Sequence, residues 1–440
     1  MIKLNIFWFR RDIRLEDNAG LYHALKSDLP VLPIFIFDTL ILDQLENKAD
    51  ARVEFIYDSL LAIQEKLKSN GSALRIFYGT PANSFKLLLS EFQIGKVFTN
   101  EDYEPYGIKR DNEIEDLLKS NKSQLIRCKD QVIFEKDEVM KDDGTPYTVF
   151  TPFSKKWKAK LDPFYYSSYP TENFYQNLYQ HHSTPIPTLE EMGFKKTNIK
   201  IPSTTVSKDL VSNYDKTRNF PGIEGTSRLG IHLRFGTISI RKLCRFALEN
   251  NTTYLNELIW RDFYFSILFH FPKVGMHRAF KESYENIVWR NNEEEFKKWC
   301  EGNTGYAIVD AGMRQLNQTG YMHNRVRMIT ASFLTKHLLI DWKWGEAYFA
   351  EKLLDFDLAS NNGGWQWAAG SGCDAAPYFR IFNPYLQTKK FDPELTYIKK
   401  WVPEFQEFTY PEPIVDHEFA RKRCLEVYSN ALKSEMKPER

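Results

Sequence analysis

Apolar residues in the first hundred positions come in short runs, not at helical spacing. Residues 3–9 (KLNIFWF), 30–37 (PVLPIFIF), 73–79 (ALRIFYG) and 96–100 (KVFTN) have the length and the branched or aromatic content of buried parallel strands. Between them, residues 51–69 and 83–92 repeat apolar side chains every three or four positions, the period of a helix lying on a sheet. This alternation predicts a doubly wound, Rossmann-like α/β domain with a parallel sheet over residues 1–130. No G-x-G-x-x-G follows the first run, so a dinucleotide fingerprint is absent there. From about Cys128 the pattern decays into a stretch rich in Tyr, Pro and Ser, and residues 131–200, with QHHS at 180–183, read as a long linker laid over the surface. Beyond Ile201 the strand-like runs vanish. Helical patterns follow one another with breaks at Gly225, Gly236, Gly302, Gly320 and the Gly363–Gly364 pair, which predicts an all-α domain over residues 201–440.

The 440 residues carry a formal net charge of +1, which excludes a bulk polycation. Contact with nucleic acid therefore requires a local basic patch. Aromatic residues make up 15 % of the chain, enough either for large cores or for a surface on which bases or a ring cofactor stack. Five Cys at wide spacings with no C-x-x-C point to reduced thiols, a cytoplasmic location and no zinc site. The N-terminus lacks the apolar core of a signal peptide, and no stretch is long enough to span a membrane. The nine His show neither metal-ligand nor Ser-His-Asp spacing, so no metal is expected.

The candidate chemistry lies in the C-terminal half. In NELIWRDFYFSILFHF, Glu257, Trp260, Arg261 and Tyr264 fall on one helix face, and the plain explanation is a surface Glu–Arg pair. In GYMHNRVRMITASFL, Asn324, Arg327 and Met328 share a face while Arg325 points elsewhere. An Arg leading into so apolar a segment needs a carboxylate, and Asp355 and Asp357 in LLDFDLAS supply two. Gly225-Thr226-Ser227 offers either a phosphate cradle or a simple helix cap. Residues 357–384, DLASNNGGWQWAAGSGCDAAPYFRIFNP, combine two Gly without side chains, paired amides and two indoles. That composition suits the wall of a site for something planar.

Taken together, FWFRRDIRLEDN, GTSRLG, ELIWRDFY, GYAIVDAGMRQLNQTGYMHNRVRMITASFL, LLIDW and the stretch just quoted resemble the photolyase/cryptochrome flavoproteins over nearly the whole chain. The likeness is strongest to the bacterial class I cyclobutane pyrimidine dimer photolyases. It implies a U-shaped FAD in the helical domain. Tyr214 and Thr226, Ser227, Arg228, Leu229 and Gly230 would hold its phosphates, although Gly230 stands where Ser is common. Asn324, Arg327, Asp355, Asp357, Leu358 and Asn361 would surround the flavin and its ribityl chain, and Tyr254 replaces the family's flavin-contacting Trp. On the DNA side, Glu257, Trp260, Asn324, Met328 and Trp367 would line the hole that receives a flipped dimer. Arg218, Arg261, Arg325, Arg380 and Gln387 would meet the backbone or rim of UV-damaged DNA. Photolyases are among the base-flipping enzymes.

The resemblance implies light-driven repair: excited reduced flavin lends an electron to the dimer, and Glu257 steadies the charge that develops. A blue-light receptor, a (6-4) repair enzyme and a flavin-free binder of single strands are the other readings. Asn361, where receptors of the family tend to carry Asp or Cys, favours repair, as does the end of the sequence soon after RKRCLEVYSNALKSEMKPER without a long tail. Met328 and Tyr321, in a segment where (6-4) enzymes usually place His, favour cyclobutane dimers. Trp365, Trp342 and Trp289 match the family's electron-transfer chain, with Trp299 and Trp344 as nearby alternatives. The folate contacts of the antenna are not matched, since Tyr106, Gly107 and Met276 occupy those places. A monomer is expected.

Overall fold

The computed structural model describes residues 1–182 and 185–433. The last residues of the closing tail, 434–440, and Ser183 of QHHS lie outside the described residues. Five parallel strands form one sheet in the order β3-β2-β1-β4-β5: β1 (Ile2–Phe9), β2 (Val31–Asp38), β3 (Arg75–Gly79), β4 (Phe92–Asn100) and β5 (Gln124–Cys128). β1 at the centre and β2 beside it are buried along most of their length, which is why they read as continuous apolar runs. β5 was not legible as a strand. It is an edge strand whose residues are half-exposed or exposed, so QLIRC lacks the unbroken apolar run of a central strand.

Helices α1 (Ala19–Leu25), α2 (Ala51–Lys68), α3 (Pro81–Glu91) and α4 (Pro105–Ser120) are the crossovers of this doubly wound unit. Asn18, Asp50 and Thr80 cap the first three with their side chains, which sets where each begins. α4 buries Gly107, Asp111, Ile114 and Leu118 at helical spacing, a stripe that its polar composition hides.

By contacts the chain divides into two units, and it crosses between them more than once. The first takes residues 1–135, 161–205 and 229–249, and the second takes 136–160, 206–228 and the chain from Asn250 onward. This differs from an expected cut into 1–130, a linker 131–200 and 201–440. The linker segment is not a surface strap: Leu178, Leu189, Met192 and Phe194 are buried in the first unit's core. Helix α5 (Phe150–Lys160) is part of the second unit, where Phe153 and Trp157 are buried. Residues 229–249, with helix α6 (Ile240–Asn250), belong to the first unit through Arg241, which pairs with Asp17 and Asp130 at 2.8 Å each. Burial alone would raise the Asp130 carboxyl, but Arg14 and Arg241 together pull it below its ordinary value.

The second unit is helical. Its core gathers around α7 (Thr252–His270), α8 (Ala307–Thr319), α9 (Asn324–Ser332), α10 (Trp342–Lys352) and α11 (Leu358–Ala369). Gly302 and Gly320 end helices in the left-handed conformation, as expected of Gly. Gly363 and Gly364 do not break a helix. They lie inside α11, which runs from its Asp357 cap to Gly370 at φ 94°. Gly in a helix interior is unfavourable by about 1 kcal/mol each relative to Ala, so packing must hold them there. A Cβ on Gly363 would run into the ring of Tyr264, while one on Gly364 would meet nothing.

α9 continues into a π-helical turn, Phe333–His337, that buries Lys336 with its Nζ donating to the Arg380 carbonyl at 3.0 Å. Burial, reinforced by the charge of Arg380, lowers this ammonium to about 8. An unfolded Lys holds its proton up to its ordinary value of 10.5, so the unfolded chain binds more protons between those pH values and stability there rises with pH. Lys336→Met should therefore stabilise the protein by about 3 kcal/mol at pH 7, with the advantage fading as pH climbs through 8 towards 10.5. Denaturant midpoints measured across that range check it, and a constant difference would contradict it.

Candidate functional site

A cavity of about 400 Å³ opens in the second unit, within the range of roughly 300–1,000 Å³ common for ligand sites. α7 brings Glu257, Trp260 and Tyr264 to it, as their shared face requires. α9 brings Asn324, Arg327 and Met328. Arg325 also lines it, contrary to the expectation that it points elsewhere. Near the start of α9 its side chain turns inward, donating to Asn219 Oδ1 at 2.7 Å and lying 4.3 Å over the Phe391 ring. The segment leading into α11 supplies Asp355 and Asp357, and α11 itself supplies Asn361, Gly364, Trp365 and Trp367. Gly364 thus leaves the wall open where its missing side chain would stand.

Arg327 and Asp355 form the pair that the buried-Arg reasoning required, with Nη2 2.8 Å from Oδ2. Arg327 Nε also donates to the Met322 carbonyl at 2.8 Å. Burial works against the guanidinium's charge, but Asp355 more than offsets it and raises the group above its ordinary value. Glu257 pairs with Arg218, not with the Arg261 of its own helix. Burial raises the Glu257 carboxyl above its ordinary value even though Arg218 pulls it down. Near them His323 is lowered to about 4, first by burial and then by the charges of Arg327, Arg325 and Arg228. Local basic side chains therefore gather in a chain that is nearly neutral overall.

Tyr214 and Thr226 line the cavity as well. Thr226 Oγ1 is 3.0 Å from the Tyr321 hydroxyl, and Tyr254 donates to Ser227 Oγ at 3.0 Å while meeting Tyr214 edge-on. Ser227, Tyr254 and Leu358 stand behind the lining, not in it. Arg228 pairs with Glu224 and lies over Tyr321, at φ 51°. Leu229 and Gly230 fall in the first unit. Arg261 is not brought to the cavity and lies over Phe265. Arg380 is exposed and Gln387, on helix α12 (Pro384–Phe391), is half-buried, both outside the lining. Sequence reasoning missed Asn219, Ala331, Ser360, Phe349, Leu353 and Phe356 as lining residues. The last three carry no signal beyond that of core apolar positions.

Trp365, Trp342 and Trp289 pack in one cluster. The ring contacts of Trp365, however, are with Phe349 at 5.0 Å and Trp299 at 6.0 Å, while Trp289 meets Tyr428 at 6.1 Å. Trp299, weighed only as an alternative on sequence, is thus the indole in contact with Trp365. The Trp365 Nε1 is buried without a partner among the described residues. No helix among these residues is long and apolar enough to cross a membrane, no group of three or more His, Cys, Asp or Glu is placed to hold a metal, and none of the five Cys is in a disulfide.

An α/β unit with a separate helical unit, and in the latter a cavity with flat aromatic walls and an Arg–Asp pair, define a protein built to hold a planar ligand. Residues 254–409 match the family model for the FAD binding domain of DNA photolyase, and residues 5–173 match that for DNA photolyase. A deoxyribodipyrimidine photo-lyase of Synechococcus is 37 % identical, with 99 % of this chain and 98 % of that protein covered. That of Escherichia coli is 35 % identical over 98 % and 99 %. A bacterial class III photolyase from Agrobacterium tumefaciens superposes with a TM-score of 0.87 at 33 % identity, covering 98 % of each chain. The chain belongs to the DNA photolyase family, and its helical unit is that family's FAD-binding domain.

Proposed function

We propose that this protein repairs DNA with light, splitting cyclobutane pyrimidine dimers by means of a reduced FAD held in the cavity of the second unit. The observation that carries the reading is the convergence on one cavity of Glu257, Trp260, Met328 and Trp367 with Arg327, Asp355, Asn361 and Trp365. The cavity suits FAD: Gly364 leaves room at the wall, the Arg327–Asp355 pair offers fixed charge, and Trp365 has an unpartnered N–H. When bound, reduced FAD supplies on illumination the electron that the dimer needs.

The chain's own residues do the rest. Asn324, Arg327, Asp355, Asp357 and Asn361 would hold the flavin and ribityl chain, with Tyr214, Thr226, Ser227 and Arg228 on the phosphates and Tyr254 and Leu358 backing them. Asn361 donates its amide to the Glu346 carbonyl at 3.1 Å, which turns its own oxygen away from that contact. Trp260 and Trp367 give flat walls on which pyrimidines stack. Arg218, Arg261, Arg325, Arg380 and Gln387 would face DNA. Binding of DNA must displace Arg218 from Glu257 or share it, freeing a carboxyl to hydrogen-bond the dimer. The proposed working form is a cytoplasmic monomer.

Purified, reduced protein should repair cyclobutane dimers under blue light and leave (6-4) products untouched. Glu257→Ala should lower repair per bound dimer by about tenfold with little change in binding. Product analysis of oligonucleotides carrying each lesion checks both. Repair of the (6-4) lesion instead would overturn the substrate assignment. The proposed cofactor set contains no methenyltetrahydrofolate in the family's folate mode, because Tyr106, Gly107 and Met276 replace its contacts. A folate absorption band that co-purifies in stoichiometric amount would contradict this.

A further inference from the structure

Trp260 lines the cavity, but Phe150 lies flat against it with ring centroids 3.7 Å apart and planes within 3°. Phe150 covers one face of the indole and is not itself among the residues that line the cavity. The other neighbours of Trp260 on its own helix meet it differently: Phe263 edge-on at 5.6 Å and Tyr264 tilted at 5.5 Å. Stacked overlap covers one whole face of the indole, so the ring cannot tilt without giving up that contact.

Phe150 is held by its own contacts, which include the Phe263 ring edge-on at 5.9 Å, and by those of its helix. It opens α5, and its backbone N–H donates to Asp374 Oδ2 at 3.2 Å, which satisfies one of the orphan donors of a helix start. Asp374 lies in the turn after α11, at φ 48°, so the stretch that supplies Trp365 and Trp367 also anchors the ring behind Trp260. One turn further along α5, Phe153 packs on Phe263 at 5.2 Å, and Trp157 Nε1 donates to Asp262 Oδ2 at 2.9 Å. These contacts lock α5 against α7 in one register. Nothing in the sequence links position 150 to position 260.

We propose that Phe150 is a positioning residue, acting through Trp260 to fix the flat wall on which a flipped pyrimidine dimer stacks. The proposal rests on the dimer-repair reading given above. With Phe150 behind it, the indole has one orientation, and a planar base on the cavity side completes a three-layer stack. Without a flat ring behind it, the indole tilts and the wall is lost, although the cavity remains. Phe150 should therefore govern preference for damaged DNA and leave the chemistry of a bound dimer alone.

The test uses the full chain loaded with FAD and the variants Phe150→Leu, Phe150→Tyr and Asp374→Ala. Each is titrated with one duplex in two forms, with and without a cyclobutane dimer. Phe150→Leu keeps bulk but no plane, and should lose about tenfold in affinity for the dimer duplex, with the undamaged duplex bound within about twofold of the parent. FAD content and repair per absorbed photon at saturating DNA should stay at the parental level. Phe150→Tyr should retain the parental preference. Asp374→Ala, which touches no ring, should lose about threefold in the same direction. Leu at 150 with undiminished preference, or a parallel loss on both duplexes, would show plain packing and overturn the proposal. A parent that itself shows no preference for the dimer duplex would instead strike at the repair reading on which the proposal stands.

Discussion

Trp365→Phe protein carrying oxidised FAD stays oxidised under blue light with an external reductant, whereas the parent is reduced. The indole lines the cavity and is 2 % exposed, so it is placed between the proposed flavin and the interior, not at the surface. A ring in that place can give up an electron on illumination only if further oxidisable rings take the hole outward. Two routes leave it. One passes through the cluster it shares with Trp342 and Trp289, and the other through Trp299, its contact at 6.0 Å. Both begin at Trp365, so its loss removes both, while Trp342→Phe or Trp299→Phe alone should slow reduction without stopping it. Trp289→Phe, at the half-buried end, should let the separated charges recombine. Chemically reduced Trp365→Phe protein should still repair dimers within about twofold of the parent, because repair does not pass through this ring. Reduction at the parental rate in Trp365→Phe would show that electrons enter elsewhere.

Arg327→Ala is expected to purify nearly colourless. The guanidinium is about a quarter exposed and Asp355 about a fifth, so the pair is largely withdrawn from water. Removing the Arg strands Asp355 and leaves the Met322 carbonyl without its donor. Breaking a fully buried pair costs about 3–5 kcal/mol, and the residual exposure here lowers that to about 2–3 kcal/mol. The larger effect is on cofactor retention, since Arg327 also lines the cavity. FAD per protein after gel filtration should drop at least about tenfold, which in turn removes the stabilisation that bound FAD provides. Asp355→Asn, which keeps the shape and removes the charge, should retain more FAD than Arg327→Ala. Full FAD occupancy in Arg327→Ala would remove this pair from the cofactor site.

The central strands were legible because burial on both faces writes them as unbroken apolar runs, and the edge strand β5 was not because water reaches it. The interleaving of the two units was hidden. Residues 229–249 are claimed by the first unit through Arg241 and its two carboxylates, a long-range pairing that no local pattern encodes. At the site, spacing on α7 brought Glu257, Trp260 and Tyr264 together correctly, since helical period is a local property. It failed for Arg325, whose long side chain reaches the cavity from a backbone position off that face, and for Glu257's partner, which comes from residue 218. NNGGWQW looked like a break because Asn and Gly are poor helix formers. Packing overrode propensity: Tyr264 needs the absent Cβ of Gly363, and the cavity needs that of Gly364.

The most direct measurement uses one sample of the full chain with its FAD reduced and a thymine-dimer oligonucleotide, split between darkness and blue light. Thymines restored in the illuminated half alone, in many turnovers per protein, are the predicted result. A dimer bound equally in both halves and split in neither would contradict the account.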